Sequence, residues 1–105
     1  MMPQGLREFY MGIEMLKAGI RHLKDAANSE HMQLATEYIK LAYLHVSELE
    51  HVCRVSLPSV KQHIDSALRE VERGDAITAK ELLLIARDKL WHYEEEAVIE
   101  QRQLG

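Results

Sequence analysis

Along four successive stretches of this chain, apolar residues recur at spacings of three and four, and little interrupts them. Leu6, Phe9, Ile13, Leu16, Ile20, Leu23 and Ala27 open the series. Such spacing keeps one face of an α-helix apolar, whereas a half-buried strand alternates every second residue. The first helix is therefore predicted over about 6–27. Asn28 and Ser29 are residue types that favour a helix start over a helix interior. A second helix over about 30–53 has a core side of Ala35, Tyr38, Ala42, Val46 and Leu49, widened by Leu34, Leu41 and Val52. It breaks at Arg54, Val55 and Ser56. Ser56 is placed to cap a third helix over about 57–73, with Pro58 in the first turn, where its missing N–H costs nothing. In that helix Leu57, Val60, Ile64, Ala67, Leu68 and Val71 lie inward. Gly74-Asp75 is the sharpest punctuation: glycine can take the left-handed position after one helix while aspartate caps the next. A fourth helix is predicted over about 76–101.

A chain of 105 residues with 5 Gly and 2 Pro has little sequence left for loops. Four helices with short connections in one domain, 1–105, predict an all-α, antiparallel up-down-up-down four-helix bundle. Its hairpins would be 6–53 and 57–101. They resemble one another at an offset of 44 residues: Lys17, Ile20, Ala35, Glu37, Ala42 and Glu50 recur as Lys61, Ile64, Ala79, Glu81, Ala86 and Glu94. Two αα-hairpins of similar pattern are implied, by duplication or by convergence on the same periodicity.

The fourth helix carries more apolar surface than one core face requires. Ala79, Leu82, Leu83, Ala86, Leu90, Tyr93 and Ala97 form its core arc. Ile77, Leu84, Trp91 and Val98, each seven residues after the last, form a second stripe. The repeat does not account for it, because the offset positions are Gln33, Lys40, Ser47 and Arg54. On the first helix Met11, Met15, Ala18 and His22 lie roughly opposite the core seam. The first and last helices of an antiparallel square are neighbours, so these backs are expected to form one surface. Met11, Met15, Leu84, Trp91 and Val98 would be its anchors, and a homodimer or another helical protein its partner.

A net charge of −4 argues against a nucleic-acid partner or an anionic membrane. No apolar run suggests a signal peptide or a membrane span, and the single Cys53 forms no internal disulfide. A cytoplasmic location is the resulting expectation.

Chemistry has thinner support. Thiolate and imidazole suit zinc, and Cys53, His51 and His92 are expected near one end of the bundle. A small metal- or cofactor-binding bundle is thus the alternative reading, zinc ahead of haem or di-iron. Glu48 and His51 have the Glu-x-x-His spacing of ferritin-like di-iron sites, but the offset pair, His92 and Glu95, is reversed. No haem-attachment motif accompanies His31 and His45. Arg87-Asp88-Lys89-Leu90-Trp91-His92 carries an Arg-x4-His spacing on a helical bundle and in that respect resembles the HEPN nucleases. The resemblance implies RNA cleavage by Arg87 and His92 at a dimer interface. In that family the motif opens its helix; here it sits mid-helix, where five residues turn the pair about 140° apart. No nucleophile triad or phosphate loop is present. The reading is a non-enzymatic interaction or scaffold protein, self-associating through its first and fourth helices, with no cofactor.

Overall fold

The computed structural model describes the backbone of residues 3–25 and 29–104, and the side chains of 4–25 and 29–93. The described residues form four helices: α1 (Pro3–Lys24), α2 (Ser29–Cys53), α3 (Pro58–Glu72) and α4 (Ala76–Leu104). No strand occurs among the described residues, and no helix is long and apolar enough to cross a membrane. Contacts join α1 to α2, α2 to α3, α3 to α4 and α4 back to α1, which closes an antiparallel four-helix square. The bundle measures 50 × 19 × 18 Å. Its long axis is set by α4, whose 29 residues span about 43 Å.

The core follows the three-and-four spacing. Phe9, Ile13, Leu16, Ile20 and Leu23 from α1 meet Ala35, Ile39, Ala42, Val46 and Leu49 from α2. Leu57 with Val60, Ile64, Ala67 and Val71 from α3, and Ala79, Leu83, Ala86 and Leu90 from α4, complete the cluster. On α2 Ala35, Ala42, Val46 and Leu49 are core as predicted, but Ile39 takes the place expected of Tyr38, and Leu41 is exposed. Tyr38 instead stacks on His22 of α1, because a ring with a polar tip is better placed at the edge of an apolar core. Leu68, Leu82 and Tyr93 pack against the core without entering it, and Ala27 and Ala97 lie outside the described side chains.

Glycine determines how closely α1 approaches its neighbours. A Cβ on Gly12 would stand 3.3 Å from Leu90 Cδ2 and 3.7 Å from Val46 Cγ2. On Gly19 it would stand 3.2 Å from Leu83 Cδ1 and 3.6 Å from Ile39 Cγ1. Seven residues apart, the two glycines share one edge of α1 and admit side chains of both α2 and α4.

Two of the described residues in the connections are left-handed. Gly74 takes φ +84° after α3, and Asp75 N–H donates to the Glu70 carbonyl at 2.8 Å. Asp75 then caps α4, accepting from Thr78 N–H at 3.0 Å and from the Thr78 hydroxyl at 2.7 Å. These bonds hold its carboxyl below the ordinary aspartate value. Arg54 takes φ 55° after α2, with Val55 N–H donating to the Glu50 carbonyl at 3.1 Å. The predicted Ser56 cap is not formed: Leu57 occupies the N-cap position and no side chain caps it from there. Glu50 does the equivalent work from α2, its Oε2 accepting the Leu57 N–H at 2.6 Å. The cap predicted at Asn28 lies outside the described residues.

Candidate interaction surface

The α1–α4 edge is built around Phe9. This buried ring is flanked by Tyr10 on its own helix, edge-on with centroids 5.1 Å apart, and by Trp91 of α4, tilted at 5.8 Å. Both flanking rings stay about half in water, Tyr10 51% and Trp91 45% exposed. Ile13, Lys17, Arg87, Asp88 and Trp91 line a shallow groove along the edge. Tyr10 and Lys17 are seven residues apart, so both stand on this side of α1. Leu84, one heptad before Trp91, is half-buried against the core, and Ile77, a heptad earlier still, is 71% exposed. The second stripe of α4 therefore leans on α1 at Trp91 and leaves Ile77 uncovered. Val98 lies outside the described side chains.

Met11 and Met15 stand elsewhere. Glu8, Met15 and His22 are spaced seven apart and share one edge of α1. His45 donates from Nδ1 to Glu8 Oε2 at 2.6 Å, and His22 meets His31 at 3.0 Å, so that edge faces α2. Met15 packs against the core between these contacts, with Met11, also half-buried, one turn away. The companion of Trp91 on α1 is thus Tyr10. Nothing in the three-and-four spacing distinguished Tyr10, although its place beside Phe9 and a heptad before Lys17 was a usable signal.

The residues singled out for chemistry differ in their surroundings. His51 and His92 are exposed, while Cys53 is half-buried against the core. His92 donates from Nδ1 to the Asp88 carbonyl at 2.7 Å and borders a pocket with Ser56, Pro58 and Tyr93 where α3 begins. Arg87 lies in the α1–α4 groove, a different seam, so the structure does not bring Arg87 and His92 together. Among the described residues no group of three or more His, Cys, Asp or Glu side chains is arranged to hold a metal ion.

Two polar clusters escaped sequence reasoning because they join residues whose pairing depends on the register of the bundle. At the α2–α3 seam Lys61 donates to Glu50 at 3.0 Å and stands 5.3 Å over the Tyr43 ring. Partial burial works to raise the Glu50 carboxyl, but the Leu57 N–H and the Lys61 ammonium outweigh it and hold it below the ordinary value of 4.5. The same hydrogen bond to Glu50 holds Lys61 above its ordinary value, against the pull of desolvation. At the α1–α2 seam the Nδ1 atoms of His22 and His31 are 3.0 Å apart, with ring centroids only 5.3 Å apart. The excess over the nitrogen gap is about one ring radius per side, so the nitrogens point at one another. An ion bound by both would sit about 2.0–2.1 Å from each, which a head-on gap of this size does not admit. It is hydrogen-bond geometry, and Tyr38 stacks on His22 within 8° of parallel to fix the ring.

Comparison with family models, curated proteins and solved structures finds no match for this chain.

Proposed function

We propose that this protein is a non-enzymatic helical-bundle module that pairs with a second copy of itself across the α1–α4 edge. The observation that carries the reading is the pair of half-exposed aromatic rings, Tyr10 and Trp91, set on adjacent helices around one buried Phe9. Aromatic anchors of this kind supply much of the binding energy of protein interfaces. Full burial of a large apolar side chain contributes about 1.5–3 kcal/mol, of which roughly half is still unrealised at each ring.

A second copy is the occupant that the surrounding charges fit. Glu14 and Lys17 on α1 and Arg87 and Asp88 on α4 place both signs around the rings. In a two-fold pairing residue i meets j and j meets i, so a rim of mixed sign complements itself. A strongly charged partner would leave half of these groups opposed by like charge.

Sedimentation equilibrium of the wild type and of Trp91→Glu tests the reading, with circular dichroism to verify that both fold. A wild-type dimer that the substitution converts to a folded monomer is expected. A wild type that remains monomeric through submillimolar concentration, or a Trp91→Glu dimer as tight as wild type, rejects it. Tyr10→Glu should weaken the dimer as well, whereas Met11→Glu, on the other edge of α1, should not.

A further inference from the structure

We propose that the outer groove between α2 and α3 binds a free medium-chain carboxylate, its alkyl chain in the groove and its head group on the Lys40 ammonium. Ile39, Tyr43 and Leu44 of α2 and Ile64 and Leu68 of α3 enclose a cavity of about 290 Å³, with Lys40 and Asp65 at its mouth. It lies on the edge of the square opposite the α1–α4 edge. Ligand cavities run from roughly 300 to 1,000 Å³, so this one suits a single chain better than a ring system. Leu44 leaves 59% of its surface in water and Tyr43 38%. A chain laid against them removes apolar surface from water on both sides of the contact. The chain's own contacts hold this shape. Lys61 stands 5.3 Å over the Tyr43 ring and donates to Glu50 at 3.0 Å, which fixes the ring. Tyr43 and Asp65 also border a second, wetter cavity with Pro58, Lys61 and Gln62, so the apolar space ends there.

Charge decides the head group. Of the cations along this seam, Lys61 is spent on Glu50 at 3.0 Å, and Arg69 on Asp65 at 3.2 Å, which also neutralises the one carboxylate at the mouth. The ion pairs among the described residues leave Lys40 out. The unspent charge beside the apolar cavity is therefore one positive unit, which an anionic head complements and a cationic one opposes. A docked helix fits less well. It sets apolar anchors at i, i+3 or i+4, and i+7, over about 10 Å. Here the apolar wall of α2 runs only from Ile39 to Leu44. Thr36 and Ser47, a heptad before Tyr43 and a heptad after Lys40, are polar, as is Lys61, a heptad before Leu68.

NMR titration of the full chain at neutral pH with octanoate, below its micelle-forming concentration, and in parallel with octanol tests the site. Octanoate is expected to saturate, shifting the amides of Lys40, Leu44 and Leu68 and leaving those of Ile77 and Trp91 in place. Lys40→Ala should weaken octanoate about threefold, the scale of an exposed ion pair, and leave octanol unchanged. Leu44→Asn should weaken both about tenfold. Both side chains are exposed, so both variants should fold, which circular dichroism verifies. Shifts that never saturate, or that reach Ile77 and Trp91 equally, overturn the proposal. So does a Lys40→Ala protein that binds octanoate as the wild type does or loses octanol to the same extent, and so does unchanged affinity in Leu44→Asn.

Discussion

In the first hairpin Ile13, Leu16, Ile20 and Leu23 are buried against Ala35, Ile39, Ala42 and Val46. Forty-four residues on, Leu57, Val60, Ile64 and Ala67 are buried in the same order, followed by Ala79, Leu83, Ala86 and Leu90. The edges of the two hairpins have nothing of this likeness. Gly12 and Gly19, which let α1 approach its neighbours, correspond to Ser56 and His63. Glu8 and His45 correspond to Val52 and Lys89, and the triplet His22, His31 and Tyr38 to Ser66, Asp75 and Leu82. The core is a repeated arrangement of volume and spacing. Whatever is particular to each hairpin is written on its edges, where a residue can change without reshaping the interior.

If the cores are equivalent, truncating offset partners should cost the same. Ile39→Ala and Leu83→Ala each remove a side chain that is essentially fully buried and are expected to lower stability by about 2–5 kcal/mol. Urea denaturation would measure both. Costs differing by more than about 2 kcal/mol would mean that one hairpin collapses around its cavity and the other does not, and the equivalence would fail.

The edges should behave oppositely. Gly19→Leu forces a side chain against Leu83 and Ile39, both already within 3.6 Å of the added Cβ, and is expected to cost about 1–3 kcal/mol. At the matching position His63 is half-buried and bonds only the Ser59 carbonyl of its own helix among the contacts described. His63→Leu is expected to stay within about 0.5 kcal/mol of wild type. Equal costs would show that the approach of α1 to α2 is no closer in practice than that of α3 to α4.

Much of this core could be read from the chain because burial and helical periodicity are the same signal. Leu57, Val60, Ile64, Ala67 and Val71 lie where the spacing put them. Gly74-Asp75 was legible for a different reason: each residue type matches a backbone need, a left-handed turn and an N-cap. What escaped depends on register. Glu8 and His45 are 37 residues apart in the chain, and only the finished hairpin places them together. Tyr38 and Ile39 compete for one face, and periodicity alone does not rank an amphipathic ring below an aliphatic side chain. Ser56 had the chemistry of a cap, but Glu50 reached the same N–H from a neighbouring helix.

The seam between the hairpins carries its own pH dependence. Because the Glu50 carboxyl is held below 4.5 in the folded chain, the unfolded chain takes up that proton first as pH falls. The stabilisation from Leu57 N–H and Lys61 is thus present above the ordinary carboxylate range and lost on acidification through the folded value. Glu50→Gln should cost about 1 kcal/mol at neutral pH and close to nothing in strong acid, which denaturation midpoints at the two conditions would reveal. A difference that survives in acid would assign the loss to packing.

The smallest effects compare the two left-handed residues. Gly74 adopts φ +84° with no atom within 4 Å of where a Cβ would stand, so Gly74→Ala introduces backbone strain without a clash. About 1 kcal/mol of destabilisation is expected. Arg54 holds φ 55° despite its side chain, in a turn of the same family closed by Val55 N–H on the Glu50 carbonyl. Relief of that strain should exceed the entropic cost of glycine in the unfolded chain, so Arg54→Gly is expected to stabilise the protein by about 0.5–1 kcal/mol. Thermal denaturation of the two single variants and of the double variant reads both terms, which are expected to add, since the turns follow different helices. A destabilised Arg54→Gly would mean that the exposed guanidinium contributes more at the end of α2 than its backbone costs, and would make the junction between the hairpins a place where this chain keeps a strained residue for its side chain.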